Sequence, residues 1–126
     1  MQLGELEKMV LEYLWDQGPA DAKRVHTHFE KLRGGSLNTI QSTLDRLFKK
    51  GILAREKQSH AYQYRCAVNR DQFIGRLIND ITDDFSIGGK NPLLAAFASM
   101  SSSLDREQLD ELERLIEKSR AEPHKE

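Results

Sequence analysis

Apolar residues recur at three- and four-residue intervals as far as Phe48 and then, from Ile52, give way to the short alternating runs of extended chain. That change of period limits the chain to helices followed at once by a hairpin. Leu6, Met9, Val10, Tyr13 and Leu14 share one helical face, and the segment ends before Gly18-Pro19. Asp21 is placed to cap a second helix carrying Ala22, Val25, Phe29 and Leu32, which the Gly34-Gly35 pair interrupts. Ser36 caps a third, with Leu37, Ile40, Leu44, Leu47 and Phe48 facing inward and Gly51 ending it. Two extended runs follow, Ile52 to Lys57 and Ala61 to Val68, joined by the polar turn Gln58-Ser59-His60. In the second, Tyr62, Tyr64 and Cys66 share one side, and Gln63 and Arg65 the other. Three short helices with tight turns and an attached hairpin predict a winged helix-turn-helix.

The helical period then returns. Phe73, Ile74, Leu77, Ile78, Ile81 and Phe85 mark a fourth helix ending at Gly88-Gly89. Asn91-Pro92 supplies a cap and a first-turn proline for a fifth, with Leu93, Phe97, Met100 and Leu104 along it. Asp105 with Gln108 resembles a capping box for a sixth, bearing Leu109, Leu112 and Ile116, and the chain from about Ser119 is polar and expected to fray. The expected architecture is mainly α with a small β-wing (α+β): a DNA-binding domain over residues 1–69 and a C-terminal helical dimerisation region over 70–126. Amphipathic helices that follow a complete small domain must cover their apolar faces. A second copy of the chain is the economical cover. The expected dimer face comprises Phe73, Leu77, Ile81, Leu93, Phe97, Met100, Leu109, Leu112 and Ile116; an intramolecular bundle is the alternative.

With 126 residues, 38% hydrophobic and 31% charged, the composition is that of a globular protein. No apolar run nears the roughly 18 residues of a membrane span, and the start MQLGELEKM lacks a signal-peptide pattern, so a cytoplasmic protein without a membrane partner is expected. Cys66 is the only cysteine, which excludes an internal disulfide and a Cys-rich metal site. His26 and His28 point in different directions on a helix, and His60 and His124 are remote, so no metal site or cofactor is expected. No carboxylate sits beside Ser, Cys or His in a catalytic spacing, and the chain reads as a non-enzyme. Charge is uneven: residues 1–70 carry 12 Lys and Arg against 8 Asp and Glu, whereas residues 71–126 carry 7 against 12. Only the front half is suited to an anionic partner.

The third helix turns Asn38, Thr39, Gln41, Ser42, Asp45, Arg46 and Lys49 outward. Short hydrogen-bonding side chains near its start and cations near its end suit a recognition helix, since amides pair with adenine edges and hydroxyls take several partners. Asn38, Thr39, Gln41 and Ser42 are assigned to the groove, with Thr39 and Gln41 foremost, and Arg46 to a phosphate. The plainer alternatives are that Asn38 and Thr39 suit a helix start, that Arg46 pairs with a carboxylate, and that Lys49 and Lys50 answer the helix dipole. The wing offers Arg55, Lys57, Ser59, His60 and Tyr62 to the flanking backbone, or simply to solvent. The partners expected are double-stranded DNA and a second copy of the chain. The other class of function considered is a winged-helix protein-interaction module that does not bind DNA.

These residues resemble the penicillinase and methicillin-resistance repressors, the BlaI/MecI/CopY family. The resemblance lies in LGELEKMVLEYLWDQGP, SLNTIQSTLDRLFKKGIL, AYQYRCAV and LLAAFASMSSSLDREQLDELERLIE, nearly the whole chain. It implies a winged-helix head, a dimer held by the C-terminal helices, inverted-repeat operators, and DNA contacts at Asn38, Thr39, Gln41, Ser42 and Arg46. Two departures bear on regulation. Copper-sensing members have a Cys-rich tail, absent here. Antibiotic-responsive members are cleaved at an Asn-Phe bond, but here Ala96 precedes Phe97. The resemblance therefore carries over neither inducer, and names no inactivating protease or co-regulator.

Overall fold

The computed structural model describes residues 2–123, so His124 lies outside the described residues. Its elements run α1 (Glu5–Gln17), α2 (Ala22–Leu32), α3 (Leu37–Lys49), β1 (Leu53–Gln58), β2 (Ala61–Cys66), α4 (Arg70–Asp84), α5 (Leu93–Met100), a 3-10 turn (Ser101–Ser103) and α6 (Arg106–Ala121). This is the winged α+β fold expected from the change of period.

Local chemistry sets each boundary. Asp21 Oδ1 accepts the Arg24 amide at 2.8 Å and Ser36 Oγ accepts that of Thr39 at 3.1 Å, so both expected caps form. Gly51, at φ 77°, follows α3 where a side chain would be strained, and turns the chain into β1 within three residues of the helix end. β1 and β2 pair antiparallel from Leu53↔Cys66 to Gln58↔Ala61, leaving Ser59-His60 as a two-residue turn. Ser59 takes φ 56° there, a position usually given to glycine.

The head's core gathers Val10, Leu11 and Leu14 of α1, Val25 and Phe29 of α2, Ile40, Leu44 and Leu47 of α3, and Ile52, Leu53 and Tyr64 of the wing. Burying side chains of this size contributes about 1.5–3 kcal/mol each. The hairpin is tied to the rest by an unforeseen bridge: Ala20, between α1 and α2, exchanges both backbone hydrogen bonds with Tyr64, at 3.0 and 2.8 Å. The inner end of the wing is thus fixed in the core as well as along its own ladder.

The chain forms two compact units, Met1–Asp80 and Ile81–Glu126. The head continues past residue 69 because Phe73, 4% exposed, inserts into its core beside Trp15, with ring centroids 5.7 Å apart, and Leu77 packs against the same cluster. Trp15 Nε1 also donates to the Val68 carbonyl at 2.9 Å. Phe73 was expected on the dimer face; burial within its own head removes it from that set. Leu32, expected inward, is 65% exposed because α2 ends at it and the chain turns away at Arg33 and Gly34. In the second unit, α5 stops at Met100 and a 3-10 turn takes over, so Leu104 lies outside the helix expected to hold it. Pro92 is the N-cap residue of α5, one place later than expected, yet Asn91 Oδ1 still accepts the Leu93 amide at 2.8 Å. Asp105 and Gln108 form the expected capping box of α6.

Candidate nucleic-acid interface

Packing of α3 separates its side chains cleanly. Ile40, Leu44 and Leu47 enter the core, while Asn38, Thr39, Gln41, Ser42 and Arg46 are exposed. Thr43 is fully buried, its hydroxyl donating to the Thr39 carbonyl at 2.8 Å and accepting from Arg46 Nη2 at 3.2 Å. Arg46 makes no ion pair among the described residues. The guanidinium is therefore held by a neutral hydroxyl, with donors left for an anion. Thr39 Oγ1 lies 2.9 Å from Ser36 Oγ, so its hydroxyl is partly engaged in the cap. Lys49 pairs with Asp45 at 3.0 Å, a partner that neither reading of that lysine named.

A hollow of about 490 Å³ separates α3 from the wing. Gln41 lines it together with Lys23 at the start of α2 and with Ser59, His60 and Tyr62 of the hairpin. Five of these polar groups converge although their positions span some forty residues. Lys57 is exposed on β1; it does not line this hollow, and neither do Asn38, Ser42, Arg46 and Lys49. Lys23 went unmarked in the sequence reading. The one local sign of it is its place two residues after the Asp21 cap, where the helix N-terminus already favours anions.

Arg55, which the sequence offers to the flanking backbone or to solvent, is engaged within the head. Its guanidinium lies 3.9 Å from the centroid of Phe48 on α3 and 4.1 Å from that of Tyr62 on β2, and Nη1 donates to Asp45 Oδ1 at 3.2 Å. Desolvation works against its charge, but hydrogen bonding and charge from Tyr64 and Asp45 outweigh it and hold its pKa above the ordinary arginine value. The hydrogen bond from Lys49, aided by Arg55, holds the Asp45 carboxyl below the usual carboxylate range. Ten residues separate Asp45 from Arg55, a spacing with no helical or strand meaning, so sequence periodicity could not pair them.

A second ionic contact anchors the far end of α3. Glu7 is only 7% exposed; Oε1 accepts the Gly4 amide at 3.1 Å and Oε2 the Lys50 ammonium at 2.8 Å. Burial alone would raise the Glu7 pKa, but Lys50, the Gly4 amide and Arg46 together hold it below its ordinary value. Lys50 is thereby committed to the fold. Cys66 is half-buried and desolvation pushes its thiol up to about 11, so it stays protonated and unreactive near neutrality. No cluster of His, Cys, Asp and Glu suited to a metal ion occurs among the described residues, and no helix there is long and apolar enough to cross a membrane.

Over residues 3–118 the chain matches a protein family described as penicillinase repressor. It is 25% identical to the transcriptional regulator BlaI of Mycobacterium tuberculosis, a match covering 91% of this chain and 83% of that protein. It is 24% identical to the methicillin resistance regulatory protein MecI of Mammaliicoccus sciuri, over 93% and 94% of the two chains. To the penicillinase repressor of Bacillus licheniformis it is 25% identical, over 92% and 90%.

Proposed function

The chain belongs to the penicillinase repressor family, and on that premise we propose that it is a DNA-binding transcriptional repressor acting as a homodimer on an inverted-repeat operator. Each α3 enters one major groove, and each wing lies on the adjoining backbone. Gln41 and Thr39 read base edges with Asn38 and Ser42 beside them, Arg46 meets a phosphate, and Lys57, Ser59, His60 and Tyr62 line the backbone. Lys49 reaches phosphate only as a cation already shared with Asp45. The second unit supplies the dimer contact through Ile81, Leu93, Phe97, Met100, Leu109, Leu112 and Ile116; Leu77, expected on the same face, belongs to the first unit and packs against the head's core. Such a protein works in the cytoplasm, needs no cofactor and performs no catalysis.

The observation that carries this reading is the exposed polar face of α3, where Gln41 shares a hollow with the wing's Ser59, His60 and Tyr62. A helix facing only solvent would favour Glu and Lys over this run of Asn, Thr, Gln and Ser. The relatives named as repressors and resistance regulators support the same direction. The test is selection of bound duplexes from random DNA, followed by titration at several salt concentrations with Gln41→Ala alongside. We expect a symmetric site, binding that weakens steeply with salt, and a loss of about 1–3 kcal/mol for Gln41→Ala on that site with little loss on random DNA. An equal loss on both duplexes would remove Gln41 from base reading. A binding curve flat in salt would favour a protein-interaction module instead.

A further inference from the structure

The wing is anchored at its inner end and free at its outer end. Leu53 and Tyr64 are buried, and Ala20 is bonded to Tyr64, whereas every residue from Glu56 to Tyr62 is exposed. Between these halves stands the Arg55↔Tyr64 pair of the ladder, and the Arg55 guanidinium is the point where the hairpin grips α3: Phe48 on one side, Tyr62 on the other, and the Asp45 carboxylate at its edge. We propose that Asp45 and Arg55 form a clamp that sets the direction of the outer wing relative to α3, making both positioning residues for DNA recognition although neither need touch DNA.

This inference rests on the DNA reading above. Its chemistry is specific to these two side chains. Arginine's planar cation stacks on two rings while directing N–H groups in its own plane to a carboxylate, which a lysine ammonium does not reproduce. Asp45 is the only acid on α3, and an acid on a helix presented to phosphates opposes binding unless it serves another purpose. Here it holds Arg55 and Lys49 together. Ladder hydrogen bonds alone leave a two-stranded ribbon free to twist, since an isolated hairpin is marginal in water.

The two explanations of Asp45 predict opposite signs. In full-length protein, Asp45→Ala removes a negative charge beside the phosphates, so electrostatics alone tightens binding to every duplex. The clamp predicts operator binding weakened by about three- to tenfold, as is typical when one member of a coupled network is lost, with random DNA much less affected. Amide hydrogen exchange without DNA is the second readout: the clamp predicts faster exchange from Glu56 to Tyr62 and unchanged exchange at Ile52 and Leu53, with the melting transition retained. Unchanged or tighter operator binding by the variant, or unchanged exchange in the outer wing, overturns the clamp. If the wild-type chain itself shows neither salt dependence nor a preferred duplex, the DNA reading fails, and exchange alone then decides whether Asp45 orders the wing.

Discussion

The head and the tail use the same apolar residues at the same helical spacing and reach opposite outcomes. In the head, the periodic positions of α1, α2 and α3 close on one another and on the wing. In the tail, neither α5 nor α6 has a buried residue, and Phe85, Ile87, Leu94 and Met100 stay largely in solvent, Leu94 at 81%. The difference lies in what each amphipathic face can meet. The head's three helices cross around a hairpin that fills the remaining side, whereas short helices in sequence cannot enclose a core unaided. On the reading proposed above, this exposed apolar surface is what a second copy of the chain covers.

The contrast is most exposed to failure at the head's centre. Leu44 is fully buried, and Leu44→Ala is expected to lower unfolding free energy by about 2–5 kcal/mol in denaturant titration; a loss below 1 kcal/mol would mean that the head is not the close-packed half. The tail should respond in the other currency. Phe97→Ser is expected to weaken self-association by about 1.5–3 kcal/mol for each apolar face lost, seen as a higher dissociation constant in sedimentation, with the head's melting unchanged. A dimer of wild-type strength would move the interface elsewhere.

A smaller effect sharpens the head's account through its one buried acid. Because the folded-state pKa of Glu7 lies below its unfolded value, the Glu7–Lys50 contact stabilises fully above about pH 4.3 and is lost as pH falls through the folded pKa. Glu7→Gln should cost about 1–2 kcal/mol at neutral pH and flatten the acid limb of the stability profile. If the limb kept its slope, other carboxylates would be responsible for it.

Sequence periodicity disclosed the helices and hairpin because each is a local pattern whose fit is checked within a few residues. Asp21 and Ser36 were readable as caps for the same reason, their partners being three residues away. What escaped was set by contacts distant along the chain. Phe73 has the spacing of a surface face on α4 and only the Trp15 ring, 58 positions earlier, reveals that it belongs to the head. Arg55 has the charge of a phosphate contact, and only Phe48, Tyr62 and Asp45 assign it to holding the wing. The exposed polar face of α3 was legible because packing decides its inward neighbours; the hollow shared with Lys23 was not, since it depends on how α2 meets the hairpin.

The connection from α3 to β1 is only Lys50, Gly51 and Ile52, and Ile52 is fully buried. Helix and wing are therefore joined without slack. On a duplex gripped as proposed, two contact points at a fixed separation act as a caliper, accepting only grooves and backbones of matching width. Base pairs that no side chain touches would then still alter affinity by changing how readily the duplex reaches that width.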